Sequence, residues 1–165
     1  MIIQVGGPEF QISAAHFLAN ADFKEPLHGH NYLISAQLTF SQLINGMAAD
    51  FRLVQQCLRR ITQKLDQRIL LAAQNSQYQM IPHVKEQEIE ICYQNGDKKV
   101  RYIFPDTDVV LLPCADTTTE NLALFIQATF AKLWPLEGPP YQTLAITVEE
   151  APGKSVTTQG IGENN

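Results

Sequence analysis

From Asn31 to Phe40 the chain alternates: Tyr32, Ile34, Ala36, Leu38 and Phe40 are apolar, whereas Leu33, Ser35, Gln37 and Thr39 are mostly polar. Side chains two apart on a strand share a face, so this period of two predicts a β-strand with one buried row. Immediately upstream stand His28, Gly29 and His30, and both histidines fall in the phase of that buried row. An earlier run repeats the pattern, with Phe10, Ile12 and Ala14 sharing the phase of His16. Three imidazoles are thereby predicted to end the inner rows of two strands. Neutral imidazole is a common metal ligand, and three on one face describe an open zinc site whose fourth position is left to water or substrate. A lone histidine on an apolar face is usually an ordinary core residue, but here three of the four histidines lie between positions 16 and 30. The fourth, His83, follows Pro82 in a polar stretch and is read as a surface loop residue.

Composition narrows the function classes. A chain of 165 residues with 45% hydrophobic and 18% charged content suits one domain with a full core, expected over residues 1–160 with 161–165 as a frayed tail. The net charge of −5 lacks the basic stripe that a nucleic-acid groove needs to meet phosphates. Neither a basic-then-apolar leader nor an apolar run of membrane-spanning length is evident, so a cytoplasmic protein is expected. Cys57, Cys92 and Cys114 are odd in number and far apart, which points away from disulfides and thiolate metal sites. Cys57 is read as a small core residue.

The first half reads strand, strand, helix. Ile2 to Ala15 and Asn31 to Phe40 are the strands, separated by a polar loop from Asn20 to Leu27. Asp50 can cap a helix whose Leu53, Val54, Cys57, Leu58, Ile61 and Leu65 form a stripe at helical spacing. A hairpin over 86–104 follows, with Ile89, Ile91 and Tyr93 alternating before the Asn95-Gly96 turn and Val100, Tyr102 and Phe104 after it. Thr117 and Glu120 have capping-box spacing ahead of a second helix that carries Leu122, Phe125, Ile126, Phe130 and Leu133 inward. Pro135 and Gly138-Pro139-Pro140 close that helix. Leu144, Ile146 and Val148 mark a strand running into Glu149 and Glu150, and Ser155 to Gln159 are read as its short partner. The expected fold is α+β: an antiparallel sheet with two helices on one face plus an inserted hairpin.

Ser13-Ala14-Ala15-His16, Leu27-His28-Gly29-His30-Asn31-Tyr32, Leu65-Asp66, Thr118-Thr119-Glu120-Asn121 and Glu150-Ala151-Pro152 occur in the order and approximate spacing of one family. On these motifs the chain resembles the 6-pyruvoyl-tetrahydropterin synthases, which include the bacterial 6-carboxy-tetrahydropterin synthases. The resemblance covers nearly all of the chain except the hairpin. It implies a tunnelling fold (T-fold) whose protomers join into homotrimers that stack as homohexamers, with active sites at subunit interfaces. It also implies a lyase acting on 7,8-dihydroneopterin triphosphate. Zinc on His16, His28 and His30 would acidify the substrate side chain as a Lewis acid. Glu150 matches the carboxylate that anchors the pterin ring, and Thr118 and Thr119 match residues lining the same pocket.

Departures from the family pattern matter as much. Typical members place a proton-abstracting cysteine before the His-Gly-His motif and an Asp-His pair after the first helix. Here Asn20 to Leu27 holds no cysteine, and Asp66 is followed by Gln67, which exchanges no proton near neutral pH. Glu25, three residues before His28, resembles a subgroup in which glutamate replaces the cysteine and the product is 6-hydroxymethyl-7,8-dihydropterin for folate synthesis. Glu25 is therefore read either as the general base, with Asp66 as the remaining polar partner, or as an exposed loop acid. The products left open are a 6-carboxy or 6-pyruvoyl tetrahydropterin, the 6-hydroxymethyl compound, or none in a non-catalytic zinc- and pterin-binding homologue. The pathway served, queuosine-type, biopterin or folate, stays open with the product.

Overall fold

The structure is a computed structural model that describes residues 1–162. Its elements run β1 (Ile2–Val5), β2 (Gln11–Ala19), β3 (Lys24–Thr39), α1 (Phe51–Leu65), β4 (Arg68–Ala72), β5 (Tyr78–His83), β6 (Glu88–Asn95), β7 (Lys98–Pro105), β8 (Val109–Leu112), α2 (Thr119–Leu133), β9 (Thr143–Ala151), β10 (Lys154–Thr157) and β11 (Gly160–Ile161). The main sheet has the order β10-β9-β3-β2-β4-β8, with β1 also on β3 and β11 also on β9. Its long member is β3, which pairs antiparallel with β1 and β2 along one side and with β9 along the other.

The inner row of β3 is as the alternation predicts: Tyr32, Ile34, Ala36, Leu38 and Phe40 are all buried. They join Ile12 and Ala14 of β2, Leu144, Ile146 and Val148 of β9, and residues of both helices in one apolar cluster. Both helices therefore cover the same face of the sheet. Asp50 caps α1 by accepting from the Arg52 N–H, and the stripe from Val54 through Leu65 is buried. The cap of α2 is Thr118, which accepts from the Asn121 N–H, and not Thr117. Thr117 is instead buried, its hydroxyl donating to the Phe17 carbonyl.

Other boundaries differ from the sequence reading for local reasons. The predicted first strand is broken after Val5, where Gly7 at φ 135° and Pro8 set a single 3₁₀ turn before β2 begins. The expected loop before His28 is largely strand, since β3 starts at Lys24 and Glu25 pairs with Leu18. Three short strands, β4, β5 and β8, lie outside the sequence reading; β4 and β8 pair in parallel, and β4 lies parallel to β2. The main sheet is thus mostly antiparallel with two parallel pairings. The hairpin is the core of a separate three-stranded sheet, β5-β6-β7, and His83 ends β5 with its Nε2 2.8 Å from the Glu90 carboxylate. The partner of β9 is Lys154–Thr157, and Gly160–Ile161 also pair with β9. The rest of the predicted tail, 163–165, lies outside the described residues. Among the described residues no helix is long and apolar enough to cross a membrane.

Candidate functional site

His16 and His28 are directly paired across β2 and β3, and His30 faces Ala14 two pairs further along. Strand geometry alone brings the three rings together. Their centroids are 4.6 Å (His16 to His28), 4.7 Å (His28 to His30) and 5.3 Å (His16 to His30) apart, and one ligating atom from each lies within 4.8 Å of the others.

Two backbone carbonyls set the rings. The Nδ1 of buried His16 lies 2.8 Å from the Thr117 carbonyl, and the Nδ1 of His28 lies 2.8 Å from the Pro26 carbonyl. A carbonyl only accepts, so each Nδ1 carries a proton, which in a neutral ring leaves the lone pair on Nε2 for a metal. Burial foremost, aided by the neighbouring His28 and His30, holds the His16 pKa below its ordinary value and favours the neutral ring that coordination requires. The donor set therefore fits zinc: three imidazoles, at least two with a fixed tautomer, and carboxylates nearby to offset the cation's charge. The ring-orienting carbonyls had no sequence signal, because any residue supplies one.

The carboxylates arrive from two other elements. Glu150, near the end of β9, has one oxygen 4.0 Å from His30 Nε2 and the other accepting from the Thr119 hydroxyl at the first turn of α2. That hydroxyl, more than the charge of His30, His16 and Lys154, holds the Glu150 carboxyl below its usual range despite partial burial. Glu25 enters from the start of β3, its carboxylate 3.6 Å from His28 Nε2. It lies on a strand and not in a loop, with 38% of its side chain still exposed. His16, Glu25, Thr118, Thr119 and Glu150 line one cavity of about 340 Å³, which also admits Lys154. Lys154 was not singled out from the sequence, and its position beside Glu150 follows from the β9–β10 turn, where Gly153 takes φ 79°.

Asp66 stands apart from this cavity. It ends α1, and its Oδ1 accepts from the Ser13 N–H at 2.8 Å. Gln67, at φ 55°, lines a neighbouring depression with Ser13, Gly29 and His30.

The arrangement can hold a divalent metal on imidazoles, accept hydrogen bonds from a polar ligand edge at Glu150, and move a proton at Glu25. Comparison with known proteins gives these capacities a context. Residues 7–160 match the model of the family described as 6-pyruvoyl tetrahydropterin synthase. A putative 6-carboxy-5,6,7,8-tetrahydropterin synthase from Methanocaldococcus jannaschii is 23% identical over 128 residues, 76% of this chain and 75% of that protein. Among solved structures, the 6-pyruvoyltetrahydropterin synthases of Plasmodium vivax and Plasmodium falciparum superpose with a TM-score of 0.89 each. They are 25% and 24% identical, with 98% of each chain covered. Two further Plasmodium vivax structures, at TM-score 0.88 and 24% identity with 98% of each chain covered, are described as catalytic-residue mutants in which a glutamate is replaced, by alanine or by cysteine. With the fold, the order of motifs and the family match in agreement, this chain belongs to the 6-pyruvoyl tetrahydropterin synthase family.

Proposed function

We propose that the protein is a zinc-dependent lyase acting on 7,8-dihydroneopterin triphosphate, with Glu25 in place of the usual thiolate base. The observation that carries this reading is that Glu25, Glu150 and His16 line one cavity, with His28 3.6 Å from the first carboxylate and His30 4.0 Å from the second. His16, His28 and His30 would hold the zinc, which when bound acidifies the adjacent substrate C–H as a Lewis acid. Glu150 accepts two parallel hydrogen bonds from the amino-pyrimidinone edge of the pterin, while Thr119 fixes one of its oxygens and Thr118 lines the wall. Glu25 takes the proton from the substrate side chain. Asp66 is a polar partner only if a neighbouring subunit brings it to the cavity, so this reading goes with a homotrimer or homohexamer. The main sheet supports such an assembly, since it is open, with β10 at one edge and β8 at the other. The free thiols of Cys57, Cys92 and Cys114 suit a cytoplasmic setting.

Two product types follow. Elimination and rearrangement would give a 6-substituted tetrahydropterin of the 6-pyruvoyl or 6-carboxy kind. Side-chain cleavage would release 6-hydroxymethyl-7,8-dihydropterin, a precursor for folate. Glu25 favours the second, because a carboxylate stands before His28 where the family pattern places a thiolate. Incubating the zinc-loaded protein with 7,8-dihydroneopterin triphosphate and separating the products tests the reading. A 6-hydroxymethyl, 6-carboxy or 6-pyruvoyl product supports a lyase and selects the branch; unchanged substrate rejects it in favour of a binding protein.

A further inference from the structure

The pairing of β2 with β3 slips beside the triad. His16 pairs with His28 and Leu18 with Glu25, so Pro26 and Leu27 on β3 stand opposite Phe17 alone on β2. The slip is a β-bulge, which takes the intervening backbone groups out of the ladder and re-aims the chain. Both ends of the Pro26–Leu27 peptide find other partners. Its carbonyl accepts from His28 Nδ1 at 2.8 Å, and its N–H donates to the Tyr102 hydroxyl at 3.4 Å.

Tyr102 belongs to β7 in the inserted sheet. Its ring packs 5.2 Å from that of Phe17, the residue facing the bulge and next in sequence to His16, and is stacked 5.7 Å from that of Phe104. Phe17 in turn is stacked on Tyr93 at 5.6 Å. The insertion thus closes a second apolar cluster, with Phe17, Ile91, Tyr93 and Phe104 buried, directly behind the bulge.

We infer that the inserted sheet sets the metal centre, with Tyr102 as a positioning residue that holds the Pro26–Leu27 peptide so that its carbonyl fixes the His28 ring. Without the hydroxyl, the peptide can rotate. The His28 Nδ1–H then loses a fixed acceptor, and Nε2 loses its aim. Glu25, one residue before the bulge, is held by the same grip. The inference rests on the reading of His16, His28 and His30 as a metal set.

Tyr102→Phe isolates the effect, because it keeps the ring and removes one oxygen. Zinc affinity, measured by competition with a chromophoric chelator, should fall about tenfold, the lower end for loss of a group that orients a metal ligand. In the metal-free protein, hydrogen exchange at the Leu27 amide should accelerate by a similar factor. Ile91→Val trims a buried side chain in the same cluster and should lower Tm while leaving zinc affinity within about twofold of the parent. Parental affinity in Tyr102→Phe overturns the inference, as does an Ile91→Val protein that loses as much affinity as Tyr102→Phe. His28→Ala separates the two readings. If it loses zinc while Tyr102→Phe does not, the metal set stands and only the role of Tyr102 falls. If the parent binds no zinc, both fall.

Discussion

Among the described residues two clusters contain histidine beside carboxylate, and they are built to opposite ends. On the inserted sheet, Glu90 is surrounded: Arg101 donates to both of its oxygens at 2.6 and 3.0 Å, His83 Nε2 lies at 2.8 Å, and the Cys92 thiol donates at 3.1 Å. At the other cluster, His30 and Glu150 stop 4.0 Å apart and His28 and Glu25 stop 3.6 Å apart, with a cavity between the acids. A network whose donors and acceptors are all matched holds strands together and has nothing left for a ligand. A network left ajar, with ring nitrogens aimed inward by backbone carbonyls, keeps its capacity for one. Charge differs as well, because Arg101 is ion-paired with Glu90 in the first cluster, while the second gathers two carboxylates beside three imidazoles and Lys154.

The largest effect expected from this contrast is on metal. His28→Ala should reduce zinc from about one per chain to background in metal analysis, since two imidazoles fall short of the three protein ligands of an open zinc site. Glu90→Gln should keep full zinc. If both variants, or neither, lose zinc, the division between the clusters is wrong.

How far the division was legible in the sequence depends on what carries each part. The triad was readable because alternation survives where one face of β3 is covered by helices and the other is half-exposed, and the histidines kept its phase. The Glu90 cluster was not, since His83 follows Pro82, and the pattern gave no reason to place β5 beside β6. Ile69 to Ala72 and Val109 to Leu112 are short uniform apolar runs, which periodicity cannot assign. Their parallel pairing needs the crossover through the inserted sheet, a long-range fact. Glu149 and Glu150 are neighbours on a strand and so point to opposite faces; family resemblance, not spacing, singled out Glu150.

The next effect falls on turnover. Glu25→Gln preserves shape but takes no proton, so kcat should drop roughly 10²–10⁴-fold with pterin binding nearly unchanged, as measured by steady-state kinetics beside ligand titration. Parental kcat would return Glu25 to the status of an ordinary strand-end acid.

Binding comes next. Glu150→Gln replaces an acceptor oxygen with a donor facing the ring N–H groups, and loss of one charge-assisted bond costs about 1.5–3 kcal/mol. Pterin affinity should therefore weaken by roughly 10- to 150-fold in calorimetry, with zinc retained. A variant that binds as the parent does would leave the His triad without its anchor.

The smallest effect concerns pH and belongs to the matched cluster. Hydrogen bonds from Arg101 first, then from Cys92 and His83, hold the Glu90 carboxyl well below its ordinary value in the folded protein. A carboxyl whose folded pKa is depressed contributes stability that is fully present above its unfolded value, near 4.3, and that is lost as pH falls through the folded value. The parent should therefore lose this contribution progressively as pH falls below about 4, and Glu90→Gln should lack it throughout. Comparing Tm of the two proteins between pH 7 and pH 3 checks the sign: the gap should be widest near neutrality and narrow as the pH drops below about 4. Zinc-free protein is the correct sample, since protonation of the triad releases metal over part of the same range and would add its own slope. A gap that stays constant with pH would mean that Glu90 acts by packing alone, and the contrast between a matched and an open cluster would lose its electrostatic half.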